Sequence, residues 1–571
     1  MLFDNFEGNN IYLIKKVEEF LTKYTNTRFI ATVQIDISGK IPLNLLNSSL
    51  YSNSTILELK YFNSRQITDL TNKWYSKSTF PNIENKKKKI LKLINSFELP
   101  RTPLLISMFL WIFETQEDYQ PVNQATMLET FIEKMFKKHD FEQTLYSEFD
   151  FKNKESLLTE IALNMYKNGN DNYSISKADL LKFIVNYLKQ RDFDFNAEKI
   201  LNEFIDIRLF DVDSDNIESP IKFRFNCFFQ YFLMKNLDKQ EFLDHVLKDE
   251  NYLLFYNELN LYSGLKRNKI DLLDEAISRM NHYFSDLQKE VDEKHISFDS
   301  FFETDTSLSE QLCKEKKELS LESHKAEVNK DIEIIDDKFY EESKRDNKIE
   351  KKDMNLTPFQ KMELSLVIAA NILRNTEELP DPNKKYESFC EVLRCSLIYV
   401  TLYKQLFWNH IKNNEKEFDK EKQKESQMIL AFLPMINEAF LEEQLGTAKL
   451  NPVIKKHISQ IITKKDVSQL EKFSTVFLYS DFRGTDYLKE IKSYLSEIKG
   501  NYIRDMTLFK LVSYYYLRSD SKQSDKELEK LICSLIESSV KRKHGFIFDK
   551  NKAIAFYRDK RKEFIKDNPQ E

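Results

Sequence analysis

Glycine and proline are scarce in this chain, with 8 and 12 among 571 residues. A β-rich fold needs a turn about every ten residues, and such turns draw heavily on both. So few breakers over so long a chain constrain it toward long helices. A hydrophobic content of 41%, with 13% aromatic, supplies large cores. The length suits about three or four domains. The expected fold class is mainly α, with a partial α/β segment at the start.

Lysine and arginine number 86 against 92 aspartate and glutamate, a formal net charge of −6. That balance gives no global pull toward nucleic acid or a membrane surface; it says nothing about a local basic patch. The cysteines are Cys227, Cys313, Cys390, Cys395 and Cys533. Their odd number and the lack of a C-x-x-C pair point to reduced thiols in a cytosolic protein, not to a disulfide framework or zinc site. Cys390 and Cys395 share one apolar run and read as core residues. No signal peptide and no apolar run of about 18 residues is evident, so a cytoplasmic location is expected, with neither export nor membrane spanning. No Ser, Cys or His stands in a nucleophile motif, and the eight histidines show no ligand spacing. Neither a hydrolase triad nor a structural metal is assigned.

Three strand-like runs come early: Met1 to Asp4, "RFIATVQI" (Arg28 to Ile35) and "TILELKYF" (Thr55 to Phe62). The first two flank "IYLIKKVEEFLTKY", where Ile11, Leu13, Ile14, Val17, Phe20 and Leu21 share a helical face. Strand, helix, strand at this spacing is a βαβ unit of a parallel sheet. "SRQITDLTNKWY" reads as a helix capped by Ser64. In "LPRTP" (Leu99 to Pro103), the two prolines interrupt a helical stretch and impose an extended approach. Ser176 and Asp179 have capping-box spacing ahead of another helix. Then "AEKILNEFI", "RLFDV", the turn "DSDNIESP", "IKFRF" and "NCFFQYFLMKNL" give helix, hairpin and helix, a winged-helix arrangement. Residues 303–353 are densely charged and read as a linker or solvated helix. Order returns at Thr357 and Pro358, a cap and a first helical position. Asn451 and Pro452 repeat that grammar. The rest reads as helical hairpins without a strict repeat period.

Asp4 and Glu7 carry the first chemical signal. A phosphate-hydrolysing strand end needs one carboxylate to hold Mg²⁺ through water and a second acid to orient the attacking water. The spacing suits both tasks; taken alone, an apolar run followed by D-x-x-E is common and more often marks a strand end with solvated acids. Thr32 or Gln34, at the end of "RFIATVQ", would reach a γ-phosphate from such a position; a strand simply surfacing reads the same. Pro103 would lie flat against a base, or would only start a helix. The pattern G-x-x-x-x-G-K-[ST] is absent, and "SGKI" at Ser38 to Ile41 reads as a turn.

The order of these segments resembles the NACHT-type branch of the STAND NTPases over about the first 235 residues. "MLFDNFEG" is similar to their Walker B segment, "RFIATVQ" to the sensor 1 strand, and "ILELKYFNSRQITDLTNKWY" to the last core strand and its exit helix. "LPRTPLLISMFLWIF" resembles the proline motif of the helical domain over the adenine. "FRFNCFFQYFLMKNL" resembles F-x-H-x-x-F-x-E-Y-F, with Phe225 for the histidine and Gln230 for the glutamate. "NELNLYSGLKR" continues a resemblance to bacterial members. The resemblance implies Asp4 as the Mg²⁺ carboxylate and Glu7 as the water-orienting residue. It implies Thr32 or Gln34 as sensor 1, Pro103 at the adenine, and ATP/ADP with Mg²⁺ as the cofactor of the complete family protein. Such proteins are ligand-gated signalling switches, and bacterial members commonly act against phage.

The resemblance begins at Walker B. It lacks the P-loop strand, the P-loop and an effector, and without the P-loop strand two apolar strands lose a central partner. The reading favoured is a fragment of a longer gene; half of a split protein and a degenerate relative are the other two. The expected organisation is an incomplete P-loop core of three parallel strands (1–62), a helical domain (63–118), a winged-helix domain (119–236), a helical extension (237–302), the linker (303–353) and an α-helical sensor (354–571). Alone, the chain is not expected to hydrolyse ATP. Expected partners are a protein ligand or a second copy through the C-terminal helices, and a chain carrying the P-loop half. Neither membrane nor nucleic acid is expected, because "AEKILNEFIDIRLF" carries few basic residues. The alternative class is a non-enzymatic helical scaffold derived from such an NTPase.

Overall fold

The computed structural model describes residues 2–3, 6, 10–33, 43–55, 57, 61–75, 101–103, 106–107, 109–111, 123–142, 149–170, 172–212, 219–293, 295–301, 356–376, 378–413, 420–498, 501–517 and 522–544. These residues are mainly helical. They fall into two compact units divided at Lys239 and Gln240, with residues 123–126 belonging to the second.

The first unit opens with β1 (Leu2–Phe3), α1 (Ile11–Lys23) and β2 (Ile30–Ala31). The strands pair in parallel, Leu2 opposite Ile30 and Phe3 opposite Ala31. The Phe6 N–H then donates to the Thr32 carbonyl at 2.7 Å. Asn10 starts α1 by accepting from the Leu13 N–H at 3.1 Å. Ile14 and Val17 bury one face of the helix against Phe6, Leu45 and Leu50. A third parallel strand was expected at 55–62; residues 56 and 58–60 lie outside the described residues.

Helix α2 spans Ser64–Tyr75. Its cap is Asn63, not Ser64. Asn63 Oδ1 accepts from the Gln66 N–H at 2.8 Å, and Gln66 Oε1 accepts from the Asn63 N–H at 3.0 Å. The side-chain carbonyl one residue earlier reaches the amide three positions on, and the glutamine closes the box. The Phe62 N–H donates to the Arg101 carbonyl, and a helical turn starts at Pro103, where Thr102 accepts from the Ile106 N–H at 3.1 Å. Leu99 and Pro100 lie outside the described residues, as do 303–353.

Next come α3 (Gln124–Glu142), α4 (Phe151–Asn168), β3 (Ile175–Ser176), α5 (Lys177–Gln190), α6 (Ala197–Asp206), β4 (Phe210–Val212), β5 (Pro220–Phe223) and α7 (Asn226–Met234). The expected hairpin is β4 and β5, paired Phe210 to Phe223 and Val212 to Ile221. Two-residue β3 joins its other side, Ile175 opposite Ile221, so the sheet is antiparallel in the order β3-β5-β4. Pro220 opens the central strand, where a proline is tolerated because it begins the ladder. Asp150, Ser176 and Asn196 cap α4, α5 and α6. Phe210, Phe223, Phe228, Phe229 and Phe232 fill the core beneath the sheet.

The second unit is helical among its described residues. Its main elements are α8 (Tyr256–Leu265), α9 (Ile270–Glu293), α10 (Pro358–Asn375), α11 (Pro382–Asn413), α12 (Lys420–Leu445), α13 (Asn451–Ile461), α14 (Gln469–Asp481), α15 (Tyr487–Glu497), α16 (Asn501–Leu517) and α17 (Lys522–His544). Helix α10 packs on α8, α9, α11 and α12, and α14 packs on α12, α13 and α15. From Leu470 to Ser480 α14 is buried around most of its circumference, so it is a core helix. Thr357 forms the expected cap, as a capping box with Gln360. Asn451 does not cap. Thr447 caps the preceding turn, and the Asn451 amide donates to the Phe482 carbonyl at 2.9 Å. The amide is used in tertiary packing instead.

Candidate functional site

Two places are candidates. The first is the end of the parallel strand pair, where ligands of parallel sheets generally bind. Thr32 is exposed there, and its carbonyl is tied to Phe6. Asp4, Glu7 and Gln34 lie outside the described residues. Pro103 is exposed beside the fully buried Arg101.

The second place is a cleft of about 570 Å³ within the second unit, walled by residues of α9, α11, α13 and α14. Cys390 on α11, His457 on α13 and Glu471 on α14 meet on its wall. Cys390 Sγ lies 3.6 Å from His457 Nδ1, and His457 Nε2 lies 3.0 Å from Glu471 Oε1. The Tyr386 hydroxyl is 3.2 Å from the same Nδ1 and is bonded to Gln460. Burial pulls the His457 pKa down, but the hydrogen bonds to Cys390 and Glu471 outweigh it and carry it to about 9. The imidazole is set between a sulfur and a carboxylate, and the hydrogen bonds to both favour its protonated form.

The sequence reading placed Cys390 with Cys395 in the core. Cys395 is there, and burial pushes its thiol up to about 12. Cys390 is only half-buried and opens to the cleft. A further acidic group, Glu438, Glu442 and Asp481, is answered by the ammonium of Lys510, which bonds to Glu438 and lies 2.6 Å from Asp481.

The first unit defines a class of protein: a mainly helical chain with a small three-stranded antiparallel sheet between helices. A model of the family described as novel STAND NTPase 4 matches residues 173–233. That segment runs from Tyr173 through β3, α5, α6, β4 and β5 into α7, and Tyr173 stacks on Phe229 at 4.7 Å. The match supports a STAND NTPase-type relation. No curated protein and no solved structure matches the chain. No helix among the described residues is long and apolar enough to cross a membrane.

Proposed function

We propose that this chain acts as a nucleotide-regulated, ligand-sensing signalling switch of the STAND NTPase class, NACHT-like, working in the cytoplasm in bacterial defence. One observation carries the reading. The segment that the family model matches folds as strand, two helices, hairpin and helix, with strand order β3-β5-β4, and follows α4 directly. In this reading the segment is a winged helix. Helix α6 presents one lysine, Lys199, against Glu198, Glu203 and Asp206. Such a surface repels a phosphate backbone, so this winged helix regulates rather than binds DNA.

In this reading Asp4 holds Mg²⁺ and Glu7 orients water. Thr32 or Gln34 senses the γ-phosphate, and Pro103 meets the adenine. The helices of the second unit take a protein ligand or a second copy. A chain carrying a P-loop would complete the phosphate cradle.

Nucleotide content tests the reading. The 571-residue chain is purified, denatured and assayed for released ADP or ATP, beside Asp4→Ala. Nucleotide near one per chain, lost in the variant, supports the switch. A nucleotide-free, folded chain that takes up none on addition of Mg²⁺ and ATP overturns nucleotide control and favours a helical binding protein of STAND descent.

A further inference from the structure

We propose that Cys390, set against His457 and Glu471 on the wall of the second unit's cleft, is a modification site for low-molecular-weight disulfides. Thiolate is the reactive form, and a thiol beside an imidazolium is the usual way to populate it. Here the geometry supplies the imidazole beside the sulfur and a carboxylate that orients it. His457 Nδ1 faces the sulfur at 3.6 Å, while Glu471 accepts from Nε2 at 3.0 Å and fixes the ring. The Tyr386 hydroxyl shares Nδ1, and Lys456 lies over the Tyr386 ring at 4.3 Å. Asp292, Glu391, Arg394 and His295 also face the cleft, with Arg394 bonded to both carboxylate oxygens of Asp292 at 2.9 Å.

Access separates this sulfur from its neighbours. Among the described cysteines, Cys227, Cys395 and Cys533 are buried and Cys390 is not. The reaction class follows from the backbone. Cys390 lies inside α11, where the N–H groups are bonded along the helix, so none faces the sulfur to hold an oxyanion. Acyl transfer needs such donors. Thiol–disulfide exchange develops no oxyanion. The Cys390 thiolate attacks one sulfur of a small disulfide, and a new Sγ–S bond forms as the old S–S bond breaks. The second sulfur leaves as a thiolate and takes up a proton. Cys390 is oxidised to the disulfide level and the departing sulfur is reduced, with no other oxidant.

The experiment uses the full chain. Iodoacetamide labelling is followed at each cysteine by peptide mass mapping near pH 6.5, about two units below the ordinary thiol pKa of about 8.5. Cys390 is expected to label about ten-fold faster than free cysteine. His457→Asn and Glu471→Gln are expected to slow it, while Cys395 and Cys533 stay protected and report an intact core. If His457→Asn exposes those core thiols, Glu471→Gln decides. Glutathione disulfide is expected to give a mixed disulfide at Cys390 that dithiothreitol reverses. Labelling no faster than free cysteine, or unslowed by the variants with the core protected, overturns activation of the sulfur by His457. Fast labelling without a mixed disulfide overturns small disulfides as the substrate.

Discussion

Lys154 Nζ sits 2.5 Å from Glu203 Oε1 and joins α4 to α6 inside the first unit. The lysine side chain is 1% exposed and the glutamate 18%. Phe136 lies beneath the ammonium at 5.5 Å. The two partners are therefore not equivalent. Lys154→Met leaves a carboxylate that still meets water. Glu203→Gln leaves an ammonium that does not. We expect Glu203→Gln to cost about 3 kcal/mol and Lys154→Met about 1 kcal/mol, read from urea unfolding midpoints. Equal losses, or the reverse order, would show that the pair is solvated.

Glu438 gives a pH dependence of opposite sense to the usual carboxylate. Burial raises its pKa well above 4.5, helped by a hydrogen bond to Asp481 and opposed by Lys510. The fold therefore favours the protonated form. Its contribution is fully present below pH 4.5 and is lost as pH rises through the raised value. Glu438→Gln keeps the shape and a donor for Asp481 without ionising. The variant's Tm is expected to gain on the wild type as pH rises above the ordinary carboxylate value of 4.5. Parallel Tm curves in calorimetry across that range would mean an ionised Glu438.

What was legible in the sequence was local. The Thr357 cap, the Pro358 start and the β4–β5 hairpin each announce themselves within a few residues. Strand β3 did not, because it is two residues long and Ser176 already serves as the cap of α5. Its partner, Ile221, is visible only in three dimensions. The Cys390 cluster was illegible for the same reason, since 67 residues separate the cysteine from His457. Cys390 and Cys395 looked equivalent as members of one apolar run. Five residues of helix turn about 140°, so one faces the core and the other the cleft. The strand-end acids at Asp4 and Glu7 lie outside the described residues.

Thr357 tests how much a local signal contributes. Its hydroxyl accepts from the Gln360 N–H at 3.3 Å, and Gln360 Oε1 accepts from the Thr357 N–H at 3.0 Å. Helix α10 then packs on α8, α9, α11 and α12. Thr357→Ala is expected to cost about 1 kcal/mol in urea unfolding, and Thr357→Ser only a few tenths. Equal losses for alanine and serine would assign the effect to the methyl group's packing instead of the cap.

Gly484 is fixed by a side chain rather than by its own backbone. A Cβ there would lie 2.1 Å from Cζ of Tyr479. That ring has little freedom to retreat: it is 2% exposed, and its hydroxyl donates to Asp486 at 2.7 Å. The Gly484 N–H also donates to the Tyr479 carbonyl at 2.9 Å, which holds the turn against the end of α14. Gly484→Ala must therefore shift the turn or break the tyrosine's bond. We expect a loss of about 2 kcal/mol in thermal or urea unfolding. In the double variant with Tyr479→Leu, which removes the ring from the alanine's path, the glycine substitution is expected to cost much less. Additive losses would mean that the two residues do not meet as described, because directly contacting sites couple.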